Sequence, residues 1–177
     1  MNEYKVAFVA DSPELETNGV GTSMLNLARS LKKYGVSVDI FVPKGVKNIP
    51  NDIPVYQLNS FKVLKSQPFY WSYPISIKLW SNFFKNKYQL IHVHTFTGIY
   101  FCAWQISKMT NVPLVATYHT MNPDYMHYYL GKAADAKMVR GMVAEYDRMM
   151  SNNASIIVAP SMKVKEYLTS LRVDTEI

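Results

Sequence analysis

Short apolar runs alternate with amphipathic stretches along the whole chain. Residues 5–10 enclose Val6-Ala7-Phe8-Val9, apolar at every position, as in a strand buried on both faces. Residues 22–34 carry Met24, Leu27, Ala28 and Leu31 at three-four spacing, which predicts a helix that Gly35 terminates. Residues 36–42 predict a second strand closed by Pro43, and 55–58 a short edge strand. Further strands are expected at 90–94, 114–118 and 155–159, with helices at 98–109, 133–152 and 161–171. Ser161 suits the N-cap of the last helix. Met138, Val139, Met142, Val143, Tyr146, Met149 and Met150 form a methionine-rich face on the helix at 133–152, expected to be a core stripe. Residues 61–88 are the hardest to place; a helix is expected over 74–85, with Pro74 in its first turn. Alternation of strand and helix, joined by right-handed crossovers, predicts an α/β fold: a doubly wound, Rossmann-like parallel sheet.

The 177 residues fit one domain with a sizeable core. The start, Met1-Asn2-Glu3-Tyr4-Lys5, runs directly into a strand and lacks the pattern of a secretory leader. No run reaches the length of a membrane span. Cys102 is the one cysteine, so no disulfide framework exists within the chain, and a reducing compartment fits. Cytoplasmic location, peripheral at the inner face of the cell membrane, is the expectation. Charge sharpens it. Between Asp52 and Asp124 there is no acidic residue, while Lys62, Lys65, Lys78, Lys85, Lys87 and Lys108 equal the net charge of +6. A segment of one sign points to an anionic partner.

Three stretches follow predicted strands at their carboxyl ends, the edge where open parallel sheets bind ligands. Gly19-Val20-Gly21 lies between the first strand and its helix; glycines and a helix N-terminus there suit a phosphate group. A dinucleotide fingerprint fails, although Asp39 lies about twenty residues on, because Met24 occupies the third glycine position and the preceding loop is long. His94 ends a strand and is expected to reach a cleft; His92, on the same face, is expected to be packed. His119 ends the strand at 114–118 and opens into Thr120, Met121 and an Asn122-Pro123 turn leading to Asp124 and Tyr125. The alternative for His119 is an imidazole satisfied by local hydrogen bonds. A metal site from His92, His94, His119 and Asp124 lacks a supporting helical pair or cysteine, so no metal is expected.

These residues resemble the N-terminal half of a family 4 retaining glycosyltransferase of GT-B architecture. The resemblance rests on Asn18-Gly19-Val20-Gly21, on Leu90 to His94, on Val112 to Thr120 and on Ile156 to Ser161. Thr117 to Thr120 with Asp124-Tyr125 and His127-Tyr128 is most similar to the branch that glucosylates diacylglycerol; Asn122-Pro123 departs from that branch, which more often has Tyr-Glu there. The resemblance implies that residues 1–171 form an acceptor-binding domain, that 172–177 begin an interdomain linker, and that a second, donor-binding domain is absent. It implies a nucleotide-sugar donor, UDP-glucose foremost, a lipid acceptor and no further cofactor. It places Gly19, Val20 and Gly21 against the donor phosphates and His119 beside the transferred sugar as the catalytic residue. His94, Thr120, Asp124 and Tyr125 would line the acceptor cleft. The alternatives are a non-lipid acceptor, or a stand-alone module binding a phosphate ligand.

Lysines and aromatics interleave over 61–88. As a helix, this stretch would set Ile77, Trp80 and Phe84, with Pro74 and Phe83, on one side, with Lys78 and Lys85 together elsewhere and Lys87 beyond; the alternative is that the aromatics pack on the sheet and the lysines are merely solvated. Such a face suits an anionic membrane surface. With neither arginine nor a recognition motif in it, nucleic acid is not expected.

Overall fold

The computed structural model describes residues 4–12, 14–63, 70–124, 126, 131 and 136–177. Two compact units divide the chain, Met1–Leu114 and Val115–Ile177. The first contains β1 (Tyr4–Val9), α1 (Gly19–Lys33), β2 (Val36–Pro43), β3 (Val55–Leu58), β4 (Ser60–Lys62), β5 (Tyr70–Ser72), α2 (Ile77–Asn86), β6 (Leu90–Val93) and α3 (Gly98–Thr110). From β7 (Leu114–Thr117) onward, the second contains α4 (Lys137–Asn152), β8 (Ile156–Val158) and α5 (Met162–Ser170).

Among the described residues the parallel strands follow the order β3-β2-β1-β6-β7-β8. Buried residues meet in register: Phe8 of β1 sits beside Ile40 of β2 and His92 of β6. In the second unit Ala116 of β7 pairs with Ile157 of β8. The first unit buries Phe8, Leu15, Met24, Leu25, Ala28 and Ile40 in one core. Each large side chain so buried contributes about 1.5–3 kcal/mol relative to exposure. Gly35 stops α1 with φ +78°, and Ser161 Oγ accepts from Val164 N at 3.4 Å at the start of α5. Cys102 is fully buried in α3, and burial pushes its thiol up to about 11, so it is a packing residue.

Three expectations are corrected, and one element is new. A two-stranded antiparallel hairpin, β4 with β5, was not anticipated; it pairs Phe61 with Trp71, a cross-strand aromatic pair that stabilises a short ladder. Pro74 lies outside α2, whose N-cap is Ser76, accepting from Leu79 N at 3.3 Å. α1 begins at Gly19, so Gly19-Val20-Gly21 form its first turn and not a loop before it. The methionine stripe of α4 is largely outside the core. Met138, Met142 and Met149 are 74%, 66% and 46% exposed, and only Met150 is buried. The apolar arc of α4 is wider than the face that packs, and its outer half lies in water.

Asp39 has a structural task. Its carboxylate pairs with Lys5 Nζ at 3.2 Å and accepts the Tyr88 hydroxyl proton, while Lys5 Nζ also sits 5.4 Å from the centre of the Tyr88 ring. Burial and the neighbouring carboxylate raise the Tyr88 pKa, so the phenol stays a donor.

Candidate functional site

At the carboxyl ends of β1 and β6, the first unit gathers its loops around Asp11. Its carboxylate accepts from Ser72 N at 2.9 Å, Thr97 Oγ1 at 2.7 Å and Ile99 N at 3.2 Å, and its own amide donates to Thr95 Oγ1 at 2.8 Å. Thr97, the N-cap residue of α3, makes no side-chain cap bond, so Asp11 supplies the cap from another loop. Burial raises the Asp11 pKa, while the bonds from Thr97, Ser72 and Ile99 oppose the rise.

The glycine turn is capped from within. Asn18 Oδ1 accepts from Val20 N at 3.0 Å and from Gly21 N at 3.5 Å. Two amides that the sequence assigns to a phosphate are therefore directed at the Asn18 side chain. Gly21 is needed for a different reason: a Cβ there would lie 2.3 Å from Glu14 O and 2.6 Å from Leu15. A Cβ on Gly19 would meet nothing within 4 Å.

His94, expected at a cleft, is instead 2% exposed. Its ring stacks on His92 at 4.1 Å and meets Phe8 at 5.1 Å, because residues following β6 still pack on the core. His92 is packed as expected.

In the second unit His119 follows β7, half-buried, with its amide donating to Thr117 O at 3.1 Å. Burial holds its imidazole below the usual histidine range, so it is neutral at pH 7. Thr120 is half-buried on the same loop, and Asp124 N closes a turn on Met121 O at 2.9 Å. The Asp124 carboxylate pairs with Lys163 Nζ of α5 at 2.9 Å on the surface. Tyr125 lies outside the described residues.

Sequence reading missed Asp147. This fully buried carboxylate of α4 accepts from Tyr118 Oη at 2.6 Å, Tyr167 Oη at 2.8 Å and Asn122 Nδ2. Burial raises its pKa against those three bonds. The signal was an acid in line with the apolar positions of α4, four residues after Val143 and three before Met150. Its tyrosine partners raise no periodicity of their own.

On α2, Leu79 and Phe83 are buried, whereas Ile77 is 84% and Phe84 62% exposed. Trp80 is half-buried and stacks on Phe84 at 5.7 Å. Lys78, Lys85 and Lys87 are exposed, with Lys78 Nζ donating to Gln57 O at 2.8 Å. Among the described residues no helix is long and apolar enough to cross a membrane, and no three His, Cys, Asp or Glu side chains group for a metal.

An alpha-monoglucosyldiacylglycerol synthase of Streptococcus pneumoniae is 25% identical over 180 residues, covering 97% of this chain and 38% of that protein. The enzyme of the same name from Acholeplasma laidlawii is 23% identical over 163 residues, covering 90% of this chain and 41% of that protein. The chain thus spans about two fifths of the length of these curated relatives. Among solved structures, sucrose-phosphate synthase from Thermosynechococcus elongatus superposes with a TM-score of 0.64 at 18% identity, over 94% of this chain and 45% of that one. The UDP-GlcNAc 2-epimerase of Methanocaldococcus jannaschii gives 0.57 at 12% identity, over 96% of this chain and 43% of that one. A synthase and an epimerase on one scaffold show that the sheet alone does not select the reaction. The family model for Glycosyltransferase Family 4 matches residues 17–177, and the chain belongs to that family.

Proposed function

We propose that this chain is the acceptor-binding domain of a retaining glycosyltransferase that moves a hexose, glucose foremost, from a nucleotide sugar to a membrane lipid such as diacylglycerol. The observation that carries the lipid acceptor is the outward face of α2. Ile77 and Phe84 stand in water beside Lys78, Lys85 and Lys87, in a stretch without acids. Apolar side chains flanked by cations match a headgroup boundary, where each lysine near an anionic surface is worth about 1 kcal/mol. The names of the two curated relatives support the same acceptor.

In this reading the acceptor hydroxyl oxygen attacks the anomeric carbon from the face that the diphosphate leaves. The new carbon–oxygen bond forms as the bond to the diphosphate breaks, and the hydroxyl proton passes to the departing phosphate oxygen. His119, whose imidazole burial shifts toward the neutral form, is read as the contact to the transferred sugar. The protein's part is orientation and electrostatic stabilisation. A second domain would supply most contacts to the nucleotide.

Vesicle sedimentation tests the surface. Binding is expected to require anionic lipid, to weaken with salt, and to drop when Lys78, Lys85 and Lys87 become glutamate. A chain that ignores anionic vesicles at low salt removes the argument for a lipid acceptor.

A further inference from the structure

The loop that carries His119 is held at both ends by one carboxylate. Tyr118, immediately before the histidine, is fully buried and donates to Asp147 Oδ2 at 2.6 Å; its amide donates to Val158 O at 3.0 Å. Asn122, three residues after the histidine, donates through Nδ2 to Asp147 Oδ1, and its amide donates to Tyr118 Oη at 3.3 Å. Residues 119–121 are thereby bracketed. Tyr167, from α5, donates to Oδ2 at 2.8 Å, and its ring lies 6.0 Å from that of Tyr118.

We propose that Asp147 is the positioning residue of the His119 loop, its buried carboxylate fixing Tyr118 and Asn122 so that the imidazole keeps one orientation toward the sugar. The proposal rests on the reading of His119 as a sugar contact. Asp147 is not a nucleophile or a base itself: it is fully buried, and three donors already occupy its two oxygens. A buried network whose members are all satisfied selects one conformation, and losing one member frees the others.

Tyr167 supplies a graded comparison, because it shares the carboxylate and lies against Tyr118 but is not one of the two side chains that bracket residues 119–121. The 177-residue chain has four histidines, so ring signals of isotope-labelled protein can be assigned with His119→Gln. Asp147→Asn and Tyr118→Phe are expected to shift or split the His119 ring signal, and Tyr167→Phe to move it less. Equal movement in Tyr167→Phe, or no movement in Asp147→Asn, overturns the proposal. If Asp147→Asn does not fold, Asn122→Ala cuts the same link more gently, and an unmoved His119 signal there overturns it as well. In an enzyme containing this chain, Asp147→Asn should lower kcat by about tenfold to a hundredfold, as misplacement of a reacting group does, with donor KM within about twofold. An unchanged kcat overturns the proposal. A wild type that transfers no sugar while the ring signals respond as expected defeats the functional reading and upholds the positioning.

Discussion

A Cβ on Gly98 would lie 2.1 Å from the carbonyl oxygen of Ser72. The start of α3 thus meets the end of β5 backbone to backbone, and Asp11 bonds both, through Ser72 N and Ile99 N. Gly98→Ala must push the two apart. A loss of about 1–3 kcal/mol in urea unfolding is expected, as for overpacking elsewhere, with Gly21→Ala behaving alike against Glu14 and Leu15. Gly19→Ala, with open space around it, should be neutral or gain up to about 1 kcal/mol. If Gly19→Ala destabilises as much as Gly98→Ala, the steric account is wrong.

Removing the Asp11 carboxylate leaves buried amides without their acceptor. Asp11→Ala is expected to cost at least about 2 kcal/mol, since each orphaned buried donor costs about 1–3. Asp11→Asn, which keeps one oxygen, should lose less. Hydrogen exchange at Ser72 and Ile99 locates the damage: protection there should fall first, and unchanged protection argues against the shared cap.

Burial gives His119 a pH dependence with a definite sign. Its folded pKa lies below the ordinary 6.5, so the unfolded chain takes up the proton first as pH falls. The stability involved is present above about pH 6.5 and is lost as pH drops through the folded value. Asp11 and Asp147, raised by burial, act in the opposite sense: they add stability below the ordinary 3.8 that is lost as pH rises through their folded values. Unfolding free energies between about pH 5 and 7 should fall on the acid side in the wild type and flatten in His119→Gln. Parallel curves would show that His119 titrates as in the unfolded chain.

The 177-residue chain is expected to bind UDP-glucose weakly. Val20 and Gly21 amides are directed at Asn18 Oδ1, which leaves the turn little to offer a diphosphate. Calorimetric titration should show nothing near a low-micromolar Kd, about −8 kcal/mol. Tight binding would place the donor on this chain.

Much of the fold is legible because it rests on local rules. Unbroken apolar runs such as Val6 to Val9 mark the parallel strands, and Gly35 and Ser161 mark helix ends by backbone geometry and capping chemistry. What was hidden depends on partners far away in the chain. Asp147 finds Tyr118 twenty-nine residues back and Tyr167 twenty residues ahead, and no periodicity links them. The start of α1 lies earlier than expected for a local reason: Asn18 is a favoured N-cap residue, and its side chain takes up the Val20 and Gly21 amides, so the helix opens at Gly19. The face of α4 shows the limit of amphipathicity, which counts apolar positions but not the neighbours available to cover them.

That uncovered row on α4 also has a chemical fate. Thioethers in contact with water oxidise before buried ones, so peroxide should convert Met138 and Met142 to sulfoxides while Met24 and Met150 resist. Each conversion replaces an apolar, flexible side chain with a polar one. A shallow hydrophobic strip along the helix would become wettable without the core being disturbed, and only a reductase for methionine sulfoxide would restore it.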